Sequence, residues 1–90
     1  MTSFPLIGTF TYDREKARLN ELVVTVGETA DPGEIGFLRL GIENVLATIP
    51  LDDRRAVLNH TLETVWANGK GMQTLNAFYS NFHIESLIKA

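Results

Sequence analysis

The sequence predicts an all-α fold, a small bundle of three to four helices within a single domain that spans residues 1–90. Two observations favour this class. Apolar residues recur at helical spacing over several separate segments. Prolines and glycines stand where helices begin or end, as at Pro32, Pro50 and Gly69. No internal repeat, low-complexity tract or linker divides the chain.

The first twelve residues are predicted to form an extended N-terminal arm. Phe4, Leu6, Phe10 and Tyr12 share one alternating register, which is typical of extended backbone or a short edge strand.

Residues 13–26 are predicted to form the first helix. Asp13 can cap its start, and Gly27 stands where a left-handed C-terminal cap belongs. Its apolar positions have helical spacing: Leu19, Leu22, Val23 and Val26. The alternative is a short β-hairpin that pairs residues 9–12 with the β-branched residues 23–26, and it stays open at this point.

The second helix begins with a strong start signal. Asp31 supplies an N-cap acceptor, Pro32 suits the first helical position, and Glu34 completes an arrangement close to a capping box. An apolar stripe follows, made of Ile35, Leu38, Ile42, Val45, Leu46 and Ile49. This helix should therefore pack lengthwise on another. Gly36 and Gly41 lower helix propensity, which suggests close approach of a backbone or ligand or else simple tolerance.

Pro50 ends the second helix, and Asp52 or Asp53 is expected to cap a third helix that runs to Asn68. Its apolar face contains Leu58, Leu62, Val65 and Trp66. Residues 31–68 thus predict an antiparallel helical hairpin at the centre of the bundle.

The last segment, residues 72–90, predicts a C-terminal helix with a break near Asn81. Its apolar stripe is Met72, Leu75, Phe78, Tyr79 and Phe82, followed by Ile84, Leu87 and Ile88. Phe78, Tyr79 and Phe82 are also candidate partner-binding residues, because aromatic side chains on a helix can fill a groove on another protein.

Composition argues against several functions. With 8 basic and 11 acidic residues, the net charge of -3 disfavours general nucleic-acid or anionic-membrane binding. The absence of cysteine removes thiolate chemistry and Cys-type zinc sites, and it fits a cytoplasmic location. No stretch carries a catalytic signature, a phosphate-binding loop or a metal-ligand spacing. We therefore expect no enzyme activity, no metal and no cofactor.

The charged start of the third helix is the best candidate for ligand binding. Arg54 and Arg55 could contact an anion, although such a run is more often a solvated first turn. Tyr12 and Lys16 belong to the other basic stretch, where the ring could stack on a ligand. Oligomerisation could bring the two patches together.

Residues 37–68 resemble the helical hairpin of phage anti-CBASS and anti-Thoeris sponge proteins. The resemblance rests on the order of an aliphatic helix, a proline turn, a charged start and a leucine–glutamate pair: Phe37, Leu46, Pro50, Arg54 or Arg55, Leu58, Leu62, Glu63 and Trp66 to Asn68. It covers about a third of the chain. It implies a homo-oligomer that sequesters a cyclic nucleotide without catalysis, with Arg54, Arg55, Tyr12 and Lys16 as anion contacts.

The leading hypothesis is therefore a small self-associating binding protein, of the phage anti-defence kind that sequesters a nucleotide signal. The alternative is a protein–protein adaptor or inhibitor that acts through the aromatic C-terminal helix. A DNA-binding regulator is the least favoured of the three, because the chain is acidic.

Overall fold

The computed structural model describes residues 11–89 and confirms the all-α class. Within this range there are five helices and no strand: α1 (Asp13–Val26), α2 (Pro32–Ala47), α3 (Leu51–Trp66), α4 (Gly71–Asn81) and α5 (Ile84–Lys89). That is one helix more than the upper end of the prediction. Residues 1–10 of the predicted N-terminal arm lie outside the described residues.

Residues 13–26 form a helix, so the β-hairpin alternative is wrong. Burial decides between them, because Leu19, Val23 and Val26 lie on one helical face and are fully buried together. The predicted caps need correction. Asp13 is the first helical residue, after a left-handed Tyr12 at φ 64°, and its side chain does not cap the helix. Gly27 has a right-handed φ of -72°, so no left-handed cap forms there.

The predicted start of α2 is confirmed. Asp31 is the N-cap, and its Oδ2 accepts a hydrogen bond from the backbone N–H of Glu34 at 3.1 Å. The carboxylate of Glu34 accepts in turn from the Thr29 hydroxyl. These contacts satisfy polar groups at the helix start that would otherwise lack partners.

The arrangement around Pro50 corrects the predicted hairpin. A helix, a proline turn and a helix are present, but α2 and α3 have at most a marginal contact with each other. Both pack on α1, which also contacts α4. Leu19, Leu22 and Val23 spread over a wide arc of α1, and one neighbouring helix could not cover it. The centre of the bundle is therefore α1.

The first turn of α3 also differs from the prediction. Pro50 is the N-cap and Leu51 the first helical residue, so neither Asp52 nor Asp53 caps the helix. Both carboxylates lie in the first turn, where they still interact favourably with the helix dipole.

The C-terminal segment breaks where expected. α4 ends at Asn81, Phe82 adopts extended backbone at φ -133°, and α5 begins at Ile84. α5 then packs against α2 and α3.

All five helices contribute to the core. Its largest fully buried side chains include Leu19, Ile42, Leu46, Leu58, Phe78 and Leu87. Over residues 11–89, none of the helices combines the length and apolarity that crossing a membrane requires.

Candidate functional site

Tyr12 links the start of α1 to the start of α3. Its hydroxyl donates a 2.7 Å hydrogen bond to Oδ2 of Asp53. That hydrogen bond, followed by desolvation and the nearby negative charge, raises the pKa of Tyr12 above its ordinary value. The structure therefore brings Tyr12, the predicted stacking residue, to the charged start of α3 within a single chain.

Arg54, by contrast, holds helix ends together. Its Nε donates to the carbonyl of Ile49 at 2.7 Å, and Nη1 donates to the carbonyl of Ile88 at 2.9 Å. Nη2 lies 3.5 Å from the carbonyl of Ala47. The carbonyls of Ala47 and Ile88 lie at the C-terminal ends of α2 and α5, which carry partial negative charge, and that of Ile49 lies in the turn between α2 and α3. Arg54 was predicted as an anion ligand, and in the structure its guanidinium donates to carbonyl groups of the protein backbone.

Arg55 points to a different partner. It forms a solvent-exposed ion pair with Glu85 of α5. The hydrogen bond from Arg55 lowers the pKa of the Glu85 carboxyl below its ordinary value. An incoming anion would have to compete with this carboxylate.

Lys16 is only 9% exposed, and it lines a cleft between α1 and α3 together with Asn20, His60 and Thr64. The four predicted anion contacts thus do not form one open basic pocket. Tyr12 and Arg55 face acidic partners, Arg54 binds backbone carbonyls, and Lys16 is buried.

Two of the three predicted partner-binding residues, Phe78 and Phe82, are buried. Phe78 is fully buried and Phe82 is nearly so, and their rings meet edge-on with centroids 5.3 Å apart. Both are core residues, because they fill the space between α4 and the rest of the bundle. Tyr79 alone of the three is exposed, at 52%, with its ring against the edge of Phe78 at 5.4 Å.

Tyr79 is one wall of an open groove between α3 and α4. Trp66, 54% exposed, lies on the α3 side of this groove, and Leu62 and Leu75 supply apolar surface. Asn59 and Glu63 add polar groups from α3. The groove has a volume of about 350 Å³ and is called the aromatic groove below.

A second unusual surface runs along the outside of α2. Phe37 is 76% exposed and Leu40 is 57% exposed, although both are large and apolar. They belong to a stripe of exposed, uncharged residues over the whole helix: Gly33, Gly36, Phe37, Leu40, Asn44 and Ala47. This set is called the outer stripe below. It lies on the opposite side of α2 from the buried Leu38, Ile42 and Leu46.

The sequence predicted only part of each surface, Tyr79 as a candidate partner-binding residue and Gly36 as a candidate point of close approach. The sequence pattern assigned Trp66 to the buried face of α3. In the structure Val57 and Thr61 are buried on that face and Trp66 is exposed. A signal for the outer stripe was available, since the apolar residues of α2 cover more of the helix than one neighbour can bury. No comparable signal separates Trp66 from Val57, because both lie beside Leu58, Leu62 and Val65 on a wide apolar arc.

A scan against protein-family models, a search of curated proteins and a search of solved structures each found no match to this chain.

Proposed function

We propose that this chain is a non-enzymatic binding protein that self-associates through the outer stripe of α2. The observation that carries the proposal is the exposure of Phe37, which is the most exposed large apolar residue described, beside Leu40. A helix that is apolar on both sides is normally buried on both sides. A second copy of α2 offers a matching surface, because a two-fold interface places the same patch on both partners.

Gly36 of the outer stripe supports close contact between two helices. A Cβ atom added there would meet no atom of residues 11–89 within 4 Å, so nothing in the described part of the chain requires glycine at this position. Glycine within a helix costs about 1 kcal/mol relative to alanine. Its place beside Phe37 would let a second backbone approach closely.

The oligomeric state measured by analytical ultracentrifugation tests this proposal. We expect the unmodified chain to have a molar mass above that of one chain and the Phe37→Ser variant to be monomeric. Met72→Ser is the matched control, since Met72 is also large, apolar and 62% exposed but lies on α4. A monomer for the unmodified chain, or dissociation by both variants alike, would refute association through the outer stripe.

Sequestration of a cyclic nucleotide is the second candidate function, and one observation favours it. A cleft of about 260 Å³ between α1 and α2 is lined by Arg14 and Arg18 and by Asn44 of the outer stripe. Arg14 has no ion-pair partner within residues 11–89. If two copies meet along the outer stripe, their clefts would flank the interface, where arginines from both could contact an anionic nucleotide.

Calorimetric titration with a panel of cyclic di- and trinucleotides tests this second candidate. Binding that is weakened by Arg14→Gln, and also by Phe37→Ser, would support a site shared between copies. Absence of heat with every member of the panel would refute nucleotide binding, but it would not affect the proposal of self-association.

A further inference from the structure

We propose that the aromatic groove binds an arginine side chain presented by a partner protein. The groove lies between α3 and α4, away from the outer stripe of α2, so this inference does not depend on self-association. It rests on the aromatic walls, the apolar floor and one acidic group, all on the same face.

The walls have the chemistry that binds a planar cation. Trp66 and Tyr79 are each more than half exposed although they line one concave surface. The face of an aromatic ring carries negative charge density, which attracts a guanidinium, and indole does so most strongly. The edge-on contact with buried Phe78 holds the Tyr79 ring against the core, so the wall is formed before any ligand arrives.

The charge of the groove selects a cation over an anion or a purely apolar ligand. Glu63 is the charged residue among its lining side chains, and its carboxylate makes no ion pair with any residue from 11 to 89. The side chain of Asn59 adds an oxygen that can accept a further hydrogen bond. Carboxylate and guanidinium pair with more specificity than carboxylate and ammonium, because two parallel N–H groups of arginine match two oxygens.

The remaining lining favours a peptide over a free small cation. Leu62 is buried at the floor of the groove and Leu75 is half-buried beside it, so apolar surface continues next to the carboxylate. Arginine flanked by aliphatic residues would cover both parts of this surface at once, with the methylene stem on the floor and the charged head at Glu63. Trp, Tyr and Met are enriched in protein interfaces, and exposed Met72 lies on α4 one turn before Leu75.

The chain contains a single tryptophan, so its fluorescence reports on this groove alone. The probe is the capped peptide alanine–leucine–arginine–leucine–alanine, titrated into the full chain while Trp66 emission is followed. We expect a saturable change in emission that weakens with added salt. The same peptide with glutamine in place of arginine should bind at least about fivefold more weakly.

Two variants locate the interaction. Glu63→Gln should weaken binding of the arginine peptide by about fivefold and leave the glutamine peptide unaffected. Tyr79→Leu should weaken binding of the arginine peptide by a similar factor, because leucine keeps the apolar surface but lacks the aromatic ring. Both side chains are exposed, so these variants should fold, as circular dichroism can check. Glu28→Gln is the matched control for charge, because Glu28 is exposed and lines a different cleft.

Three results would overturn the proposal. The first is no saturable emission change with the arginine peptide at concentrations up to about 10 mM. The second is equal binding of the arginine and glutamine peptides, which would make the groove a purely apolar site. The third is a change in Trp66 emission with protein concentration in the absence of peptide, if the Phe37→Ser variant shows the same change. That result would mean that a second copy of the chain fills the groove.

Discussion

Arg54 and Arg55 are adjacent arginines with different surroundings. The Arg54 guanidinium donates to the carbonyls of Ile49 and Ile88, and so ties the start of α3 to the turn before it and to the end of α5. Arg55 pairs with Glu85 in solvent. Hydrogen bonds from a charged donor to carbonyl groups contribute more than an exposed ion pair, because solvent and salt screen the latter. Arg54 should therefore contribute to stability and Arg55 only slightly.

Replacement of each arginine by alanine tests this difference. Arg54→Ala should lower the free energy of unfolding by about 2 kcal/mol, because carbonyl groups at two helix ends lose a charged donor. Arg55→Ala should cost less than about 1 kcal/mol. Urea denaturation monitored by circular dichroism measures both values. Equal costs for the two variants would show that the Arg54 contacts do not hold the helix ends.

The hydrogen bond between Tyr12 and Asp53 predicts a pH dependence of stability at alkaline pH. Folding raises the pKa of Tyr12, so the protonated phenol is favoured in the folded chain. This contribution is fully present below the ordinary tyrosine pKa and is lost as pH rises through the higher pKa of the folded state. Unmodified protein should thus be more stable than Tyr12→Phe at neutral pH, and the difference should shrink above about pH 10.

Urea unfolding midpoints at a series of alkaline pH values measure this difference. Tyr79→Phe is the control, since no hydrogen bond of the Tyr79 hydroxyl is found within the described part of the chain. If the difference in urea midpoint between unmodified protein and Tyr12→Phe stays constant up to the highest pH, the phenol proton has no role in stability.

At the scale of elements, α2 carries Phe37, the most exposed large apolar residue among residues 11–89. One side packs on α1 and α5 through Leu38, Ile42 and Leu46. Phe37 and Leu40 of the outer stripe are exposed to solvent. The two interior glycines of α2 differ as well, because a Cβ at Gly41 would come within 3.3 Å of Leu22, whereas a Cβ at Gly36 would meet no atom of residues 11–89 within 4 Å. Of the two, Gly41 alone has a packing reason within this part of the chain.

Gly36→Ala separates helix propensity from association. At concentrations where the chain is monomeric, alanine should raise the free energy of unfolding by about 0.5–1 kcal/mol. The same methyl group should weaken self-association, because it would stand between two closely spaced helices. Thermal denaturation and analytical ultracentrifugation measure the two effects. Association as strong as that of unmodified protein would mean that Gly36 does not lie at the contact.

At the scale of the whole molecule, one core unites all five helices around α1. Phe78 of α4 is fully buried in this core, whereas Tyr79, its neighbour in sequence, faces solvent. A chain of this size has a total stability of about 5–15 kcal/mol. Loss of one large core side chain should therefore remove a substantial part of the free energy of unfolding.

Phe78→Ala should lower the free energy of unfolding by about 3–5 kcal/mol through lost burial and the cavity it leaves. Tyr79→Ala should cost far less, because its ring is half exposed. Chemical denaturation of the two variants gives the comparison. Similar losses would mean that α4 packs with its other face inward, and would place Tyr79 in the core.

Local signals in the sequence were sufficient for the start of α2 and for the breaks between α2 and α3 and between α4 and α5. Asp31 and Pro32 start α2, Pro50 separates α2 from α3, and the chain breaks after Asn81. Each signal acts through contacts within a few residues, such as a cap, a missing amide proton or a change of apolar periodicity. In α1 the local pattern left the helix and the β-hairpin both open, and the joint burial of Leu19, Val23 and Val26 on one helical face decided for the helix.

Only the tertiary structure decided which helices meet and which aromatic residues stay outside. Sequence order suggested that α2 and α3 pack together, but both pack on α1 because its buried arc is wide enough for two partners. Trp66 lies beside Val65 on the apolar arc of α3, and the position of α4 leaves it at the rim of a groove. The Ile49 carbonyl lies only five residues before Arg54, but folding brings the Ile88 carbonyl of α5 to the same guanidinium. Exposure depends on contacts between residues distant in the chain, which the local pattern does not contain.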